Sequence, residues 1–199
     1  MAKRLMSIAA VIVAVGVLFL LINLLHFHFL QVKVLMYSAF FDILLAAALV
    51  ALALVAMRWT GLAPIEAGLA IAVAALLCAL YSILVPTLID RSLSVYMMEK
   101  IEQRGGGIRQ DAFVGIFRDE YPREHRVVDI RLTEQLTSGT VTISNGCVKL
   151  TPRGETIARI AHFYRRHLLP QKRDILGDIS DDLTDPFRKS SADADYKCN

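Results

Sequence analysis

Charged side chains are nearly absent from the first 85 residues of this 199-residue chain, and this absence constrains its fold more than any other feature. The chain has 22 basic and 19 acidic residues, but only six of them precede Pro86. Those six are Lys3, Arg4, Lys33, Asp42, Arg58 and Glu66. Because soluble domains spread about one charged residue in four along their length, the pattern predicts a membrane half followed by a polar half.

The apolar half contains three runs that are each long enough to cross a hydrocarbon core, which takes about 20 helical residues. We place these spans at about 5–25, 36–57 and 64–85, so that residues 1–87 form a three-helix transmembrane anchor. Pro64 suits the first position of the third helix. A cleaved signal peptide is the alternative for the first run, but that run is long and lacks an Ala-x-Ala cleavage pattern.

Few polar residues interrupt the spans, and we interpret them as interfacial. Asp42 lies near one end of the second span, and Arg58 and Trp59 flank its other end. His26 and His28 close the first span, and the other two spans contain no histidine that would complete a bis-histidine haem site. Since no charged pair is evident at mid-membrane, ion or proton transport is not predicted.

Small residues four apart are typical of closely packed membrane helices, although alanine is simply abundant here and the two interpretations stay open. The pairs are Ala47 with Ala51, Gly68 with Ala72, and Ala75 with Ala79.

Beyond Pro86 the apolar pattern becomes that of a small α+β domain. Its spacing predicts amphipathic helices over about 90–103, 109–120 and 124–137. Two alternating runs around Ser144-Asn145-Gly146 then predict a β-hairpin with a type I′ turn. Thr151 and Pro152 are a typical N-cap and first residue of a fourth helix that extends to about residue 168.

This order of elements resembles the winged-helix family over about residues 90–168. The run from Gly146 to Gly154 looks like the wing and the Leu-Thr-x-x-Gly turn of MarR- and PadR-like regulators. The overall prediction is therefore a mainly α chain: three transmembrane helices, a winged-helix-like domain at 88–170, and a flexible acidic tail at 171–199.

The resemblance implies that the third helix and the wing face a ligand, which is DNA in the regulators. The candidate partner- or DNA-facing residues are His125, Arg126, Arg131, Thr133, Gln135 and Lys149. Acidic residues balance the basic ones within that helix, whereas DNA binding depends on an unbalanced positive field. The sequence therefore favours a protein-docking face over a DNA-binding one.

No persuasive catalytic motif, metal cluster or phosphate loop occurs, and three scattered cysteines exclude a disulfide scaffold. We therefore predict neither an enzyme nor a cofactor. Asp90 and Arg91 form a membrane-proximal pair that either contacts a lipid phosphate or a partner, or caps a helix.

The expected function is that of a non-catalytic accessory or scaffold subunit in a bacterial inner membrane. Its partners would be membrane lipid and a protein of an envelope or polysaccharide assembly, with a homo-oligomer left open. The alternative is a membrane-tethered transcriptional regulator. Basic residues near the spans number three on the N-terminal side and four on the other, which slightly favours a cytoplasmic C-terminal domain.

Overall fold

The computed structural model describes residues 2–57 and 61–188. It is mainly helical and divides into two units, Met1–Val127 and Val128–Asn199. The first unit contains all the long apolar helices, and the second contains a β-hairpin and the helix that follows it. We describe each unit by itself.

Three long helices open the first unit: α1 (Ala2–Phe29), α2 (Leu35–Ala56) and α3 (Pro64–Leu84). Each is long and apolar enough to cross a membrane, as predicted from the sequence. Arg4 Nη1 lies 3.7 Å from Glu66 Oε1, which joins the first turns of α1 and α3 at one end of the bundle. Glu66 also accepts a hydrogen bond from the Ala63 amide and so caps α3.

The three helices pack against one another through buried faces, which we call seams, and the residues of each seam recur about every four positions. On α1 the buried residues are Val11, Val15, Phe19 and Asn23. On α2 they are Ala39, Asp42, Ile43, Ala46 and Val50. On α3 they are Ala70, Ala74, Cys78 and Ser82. The small residues of α3 let the three backbones approach closely.

The outer surface of the bundle is apolar, the reverse of a water-soluble protein. Large aliphatic and aromatic side chains such as Leu24, Leu44 and Leu76 are well over half exposed. The predicted pair Gly68 and Ala72 also lies on this outer surface, so it does not form a helix contact within the chain. The small residues of α3 that are buried in the bundle begin instead at Ala70 and Ala74, two positions after Gly68 and Ala72.

The remainder of the first unit is more broken than the predicted helices at 90–103 and 109–120. Pro86 starts a short α4 (Pro86–Arg91), and Ser92 caps a separate α5 (Leu93–Gln103) by accepting a hydrogen bond from the Val95 amide. A 3₁₀ turn (Gln110–Ala112), α6 (Phe113–Gly115), a π-helical turn (Ile116–Glu120) and α7 (Tyr121–Glu124) follow.

The predicted helix at 124–137 begins later, because the chain turns at His125 and Arg126. Arg126 has a φ of +45°, in the left-handed region that interrupts a helix. The second unit then starts with α8 (Val127–Thr137). The break leaves His125 at the end of α7, in the first unit.

The β-hairpin is confirmed at its predicted place. Strands β1 (Val141–Ser144) and β2 (Cys147–Leu150) pair antiparallel, with Ser144 opposite Cys147. Asn145 and Gly146 have φ values of 51° and 74°, which are the positive angles of a type I′ turn.

A Thr-x-x-Gly junction connects the hairpin to α9 (Pro152–His167). Thr151 Oγ1 accepts a hydrogen bond from the Gly154 amide and donates to the Gly139 carbonyl, and the Thr151 amide donates to the Thr140 carbonyl. A Cβ at Gly154 would lie 2.1 Å from the Thr140 carbonyl oxygen. Glycine is therefore required here by close approach between helix and strand.

The structure differs from the sequence-based expectation at the end of the chain. A small antiparallel hairpin, β3 (Arg173–Ile175) with β4 (Asp178–Ser180), occupies part of the segment that we predicted to be a flexible tail. Residues 189–199 of that tail lie outside the described residues.

The winged-helix resemblance itself stays a prediction. The hairpin and the following helix are present, but the first two predicted helices belong to the other unit. The apolar faces predicted to be buried on α8 and α9 are exposed at Val128, Leu136, Ile157 and Ile160.

We expect Gly154→Ala to destabilise the second unit by about 1–3 kcal/mol, because the new methyl group would overlap a backbone oxygen. Amide hydrogen exchange in β1 and in the first turn of α9 should accelerate about tenfold or more in the full-length protein. Gly115→Ala is the matched control, since no heavy atom lies within 4 Å of its Cβ position. Exchange at the wild-type rate in Gly154→Ala would contradict the close approach.

Candidate functional site

A buried polar trio joins α1 to α2 inside the apolar bundle. Asp42 is 0% exposed. Asn23 Nδ2 donates a hydrogen bond of 2.8 Å to Asp42 Oδ2, and His26 Nδ1 lies 2.7 Å from Asp42 Oδ1. Both carboxyl oxygens therefore have a partner, as a carboxyl group buried among apolar side chains requires.

The His26 side chain, 16% exposed, also borders a groove between the end of α1 and the start of α2. This cavity measures about 440 Å³; Asp42 also borders it, and its other walls are apolar. They are formed by Ile22, Leu25, Phe29, Leu30, Phe41 and Leu45. We call this cavity the His26 groove. Within the described residues, the His26 ring makes no hydrogen bond besides the one to Asp42.

The trio is a contact that our sequence analysis did not predict. Asp42 and His26, which we interpreted as interfacial, meet inside the bundle, and their position across the membrane stays a prediction. The sequence did contain a signal: Asn23 and His26 are three apart on one helix, and Asp42 shares a face with Ala39 and Ala46. Which helix faces meet, however, depends on tertiary packing. His28, in contrast, is exposed.

A second polar network lies in the first unit outside the bundle. Lys100 Nζ contacts Glu120 Oε2 at 2.7 Å and Glu124 Oε1 at 2.6 Å, and its side chain is 5% exposed. Tyr96, also buried, donates a hydrogen bond of 2.8 Å to Glu124 Oε2. Arg104 Nη2 lies 2.9 Å from Glu120 Oε2. We call these five residues the Lys100 network.

The Lys100 network connects α5 to the π-helical turn and α7, and its charges are mutually compensated. Hydrogen bonds from Lys100 lower the pKa of Glu120 and of Glu124 below their ordinary value of 4.5. Hydrogen bonds to both glutamates raise the pKa of Lys100. Burial, with help from Glu124, raises the pKa of Tyr96 to about 12. The network is thus an interhelical connection with each charge paired.

The structure disperses the predicted partner- or DNA-facing residues. His125 packs edge-to-face with Tyr96 and at a tilt against Tyr121 in the first unit, with ring centroids 5.1 and 5.2 Å apart. Arg126 forms the break before α8, and Lys149 is exposed on β2.

The three candidates on α8 make local contacts. Arg131 Nη1 pairs with Glu134 Oε2 at 2.9 Å. The Thr133 hydroxyl donates to the Asp129 carbonyl, and the Gln135 carbonyl accepts from the Thr140 hydroxyl. These groups stabilise the helix and its exit.

The membrane-proximal pair is loose. Arg91 Nε lies 3.8 Å from Asp90 Oδ2, near the limit for an ion pair, and Ser92, not Asp90, caps the following helix. In residues 2–57 and 61–188, no three His, Cys, Asp or Glu side chains cluster as metal ligands.

An apolar stripe on α9 is the most prominent exposed feature of the second unit. Ile157, Ile160, Tyr164 and Leu168 recur on one face and are 48% to 61% exposed. Four arginines against one glutamate give α9 a positive charge. Basic residues of this kind flanking an apolar stripe are typical of a binding surface.

Comparisons of the chain with protein-family models, curated proteins and solved structures find no match.

We expect acid to weaken the contacts through which the Lys100 network joins α5 to the π-helical turn and α7. Because the folded-state pKa values of Glu120 and Glu124 are lowered, their contribution to stability is present above pH 4.5 and is lost as the pH falls through those lowered values. The near-ultraviolet circular dichroism of Tyr96 and Tyr121, whose rings are in contact, should report the loss of this packing.

The variant Glu124→Gln should be less stable at pH 7 and lose less stability on acidification. Glu102→Gln, the same substitution at an exposed position of α5, is the control and should behave like the wild type. An acid transition of unchanged size in Glu124→Gln would contradict the assignment.

Proposed function

We propose that the protein is a multi-pass bacterial inner-membrane protein in which α1, α2 and the α3 segment are the spans. The supporting observation is the apolar outer surface of the bundle, which lipid would cover and water would not. Arg4 and Lys33 lie at opposite ends of α1, and the count of basic residues near the spans favours a cytoplasmic C-terminal domain.

The function that fits best is that of a non-catalytic accessory or scaffold subunit that docks a protein partner. The observation that carries this proposal is the α9 stripe. Three large side chains on one face of the 16-residue helix, with Leu168 just after its end, are about half exposed, and burying each against a partner would contribute roughly 1 kcal/mol or more. An envelope or polysaccharide assembly is the class of complex we propose.

The residues of α9 indicate what kind of surface the partner would present. By helical spacing Arg153 and Arg165 lie beside the stripe, whereas Arg159 and Arg166 lie with Glu155 on the opposite face. The matching surface would therefore be an apolar groove with acidic groups that meet Arg153 and Arg165. Association of α9 with an anionic membrane surface would use the same chemistry, and the experiment below separates these two occupants.

DNA binding is the weaker alternative. Helix α8 carries Asp129 and Glu134 against Arg131, which gives it a net charge of −1, and Arg131 is paired with Glu134. A recognition helix of this charge would repel the phosphate backbone, which supplies most of the affinity of DNA-binding proteins.

The direct test is affinity purification of the full-length protein in a mild detergent that preserves membrane complexes. Ile160→Ala with Tyr164→Ala should lose a stoichiometric partner protein, because these substitutions remove the centre of the stripe. Glu155→Ala with Arg159→Ala, the same spacing on the opposite face, should retain it.

Three results would contradict docking of a protein. One is recovery of the wild-type chain alone, and another is retention of the partner by the Ile160/Tyr164 variant. The third is saturable, salt-sensitive binding of duplex DNA by the full-length protein, lost in Arg126→Ala with Arg131→Ala. A stripe that binds anionic vesicles and no protein would identify the membrane surface as its occupant.

A further inference from the structure

The His26 groove combines features that a purely structural contact does not need. An interhelical contact could be built from apolar side chains, and replacing buried ionic pairs by such residues is often neutral or stabilising. Here the bundle buries Asp42 completely, orients His26 with it, and leaves the ring beside a cavity. Ionisable residues within membrane helices commonly mark functional sites.

The depth of the site restricts the ligand. Asp42 is the eighth residue of α2, about 10 Å along the helix from its first residue. His26 is three residues, about 5 Å, from the end of α1, so in the proposed membrane location the site lies on the apolar length of both helices, towards one side of the membrane. Of the residues that the structure describes, no lysine or arginine borders the groove, which disfavours a phosphate-bearing headgroup.

Charge balance determines which hydrogen-bonding group His26 offers. Hydrocarbon penalises a net charge, so the His26–Asp42 pair is neutral as a whole. It is either an imidazolium with a carboxylate, or a neutral imidazole that accepts the proton of the carboxylic acid at Nδ1. In both arrangements Nε2 carries a hydrogen, and Asn23 still donates to the second oxygen of Asp42. The groove therefore presents a hydrogen-bond donor.

We propose that the His26 groove binds an isoprenoid quinone, whose ring carbonyl accepts a hydrogen bond from His26 Nε2. A lipid-soluble carbonyl compound without charge matches both the donor and the apolar walls. Phe29 and Phe41 border the space for a flat ring, and about 440 Å³ is within the range of small-molecule sites. The ester carbonyl of a phospholipid has the same acceptor chemistry but offers no flat ring to pack against Phe29 and Phe41.

This inference rests on the proposed membrane location and is independent of the docking role of α9. The two can be separated, because failure of the membrane proposal would appear as a protein that is released from membranes by alkaline carbonate without detergent. Failure of the quinone proposal would leave a membrane-embedded protein that does not bind quinone.

The experiment titrates the purified full-length protein in lipid nanodiscs with a benzoquinone that carries a ten-carbon chain, and separately with its quinol. We expect saturable 1:1 binding, with the quinone bound about tenfold more tightly than the quinol. His26→Phe should weaken quinone binding at least about tenfold. His28→Phe, the same substitution two residues away on an exposed position, should stay within about twofold of the wild type.

A second variant tests the groove independently, in case His26→Phe does not fold. Phe41→Ala removes a wall of the groove without touching the polar trio and should weaken binding several-fold, while thermal unfolding stays close to that of the wild type. Absence of saturable binding, equal affinity in His26→Phe, or tighter binding of the quinol would overturn the proposal. So would a stoichiometric phospholipid that is lost in His26→Phe and is not displaced by the quinone, since the acceptor would then be a lipid ester.

Discussion

The carboxyl group of Asp42, held between Asn23 and His26, is the interaction on which the arrangement of the apolar half depends. A buried carboxyl group without partners would cost several kcal/mol, and its only hydrogen-bonding partners in the described residues lie on α1. This requirement selects one rotation of α1 against α2. The same rotation turns Val11, Val15 and Phe19 inward and leaves the large leucines outside.

In the described residues, the outer surface of the bundle and the α9 stripe are both apolar and exposed. Their surroundings differ, and this difference indicates what would cover each of them. The outer surface of the bundle is broad and uncharged, which suits lipid, whereas the α9 stripe is narrow and flanked by arginines, which suits a partner with an acidic rim. In the first unit, the Lys100 network has each charge compensated and orders the helices that follow the bundle. The proposed anchoring and docking roles thus rest on separate features.

Local signals in the sequence were sufficient for several elements. Hydropathy locates the three long helices, because length and the absence of charge suffice for a membrane span. Asn145-Gly146 specifies its turn through backbone angles alone, and Thr151-Pro152 specifies the start of α9 through capping. Each of these depends on residues adjacent in the chain.

The features that the sequence did not predict depend on distant residues. The Asp42 site needs partners 16 and 19 positions away. Lys100 lies on the apolar face of the predicted amphipathic helix, and it is buried there because it meets two glutamates from another segment. Arg126 interrupts a pattern that reads as one helix. The periodicity of α9 is as expected, but periodicity reports that a face is apolar and not what covers it.

The central claim, that α1 and α2 are joined through an enclosed Asp42–His26 pair, is most directly tested by a dipolar distance measurement. Solid-state nuclear magnetic resonance on the lipid-embedded full-length protein can measure the separation of ¹³Cγ of Asp42 from ¹⁵Nδ1 of His26. We expect strong coupling, because Nδ1 and Oδ1 are 2.7 Å apart. An Asp42 carbon with no coupling to His26 and with contact to water would contradict the account.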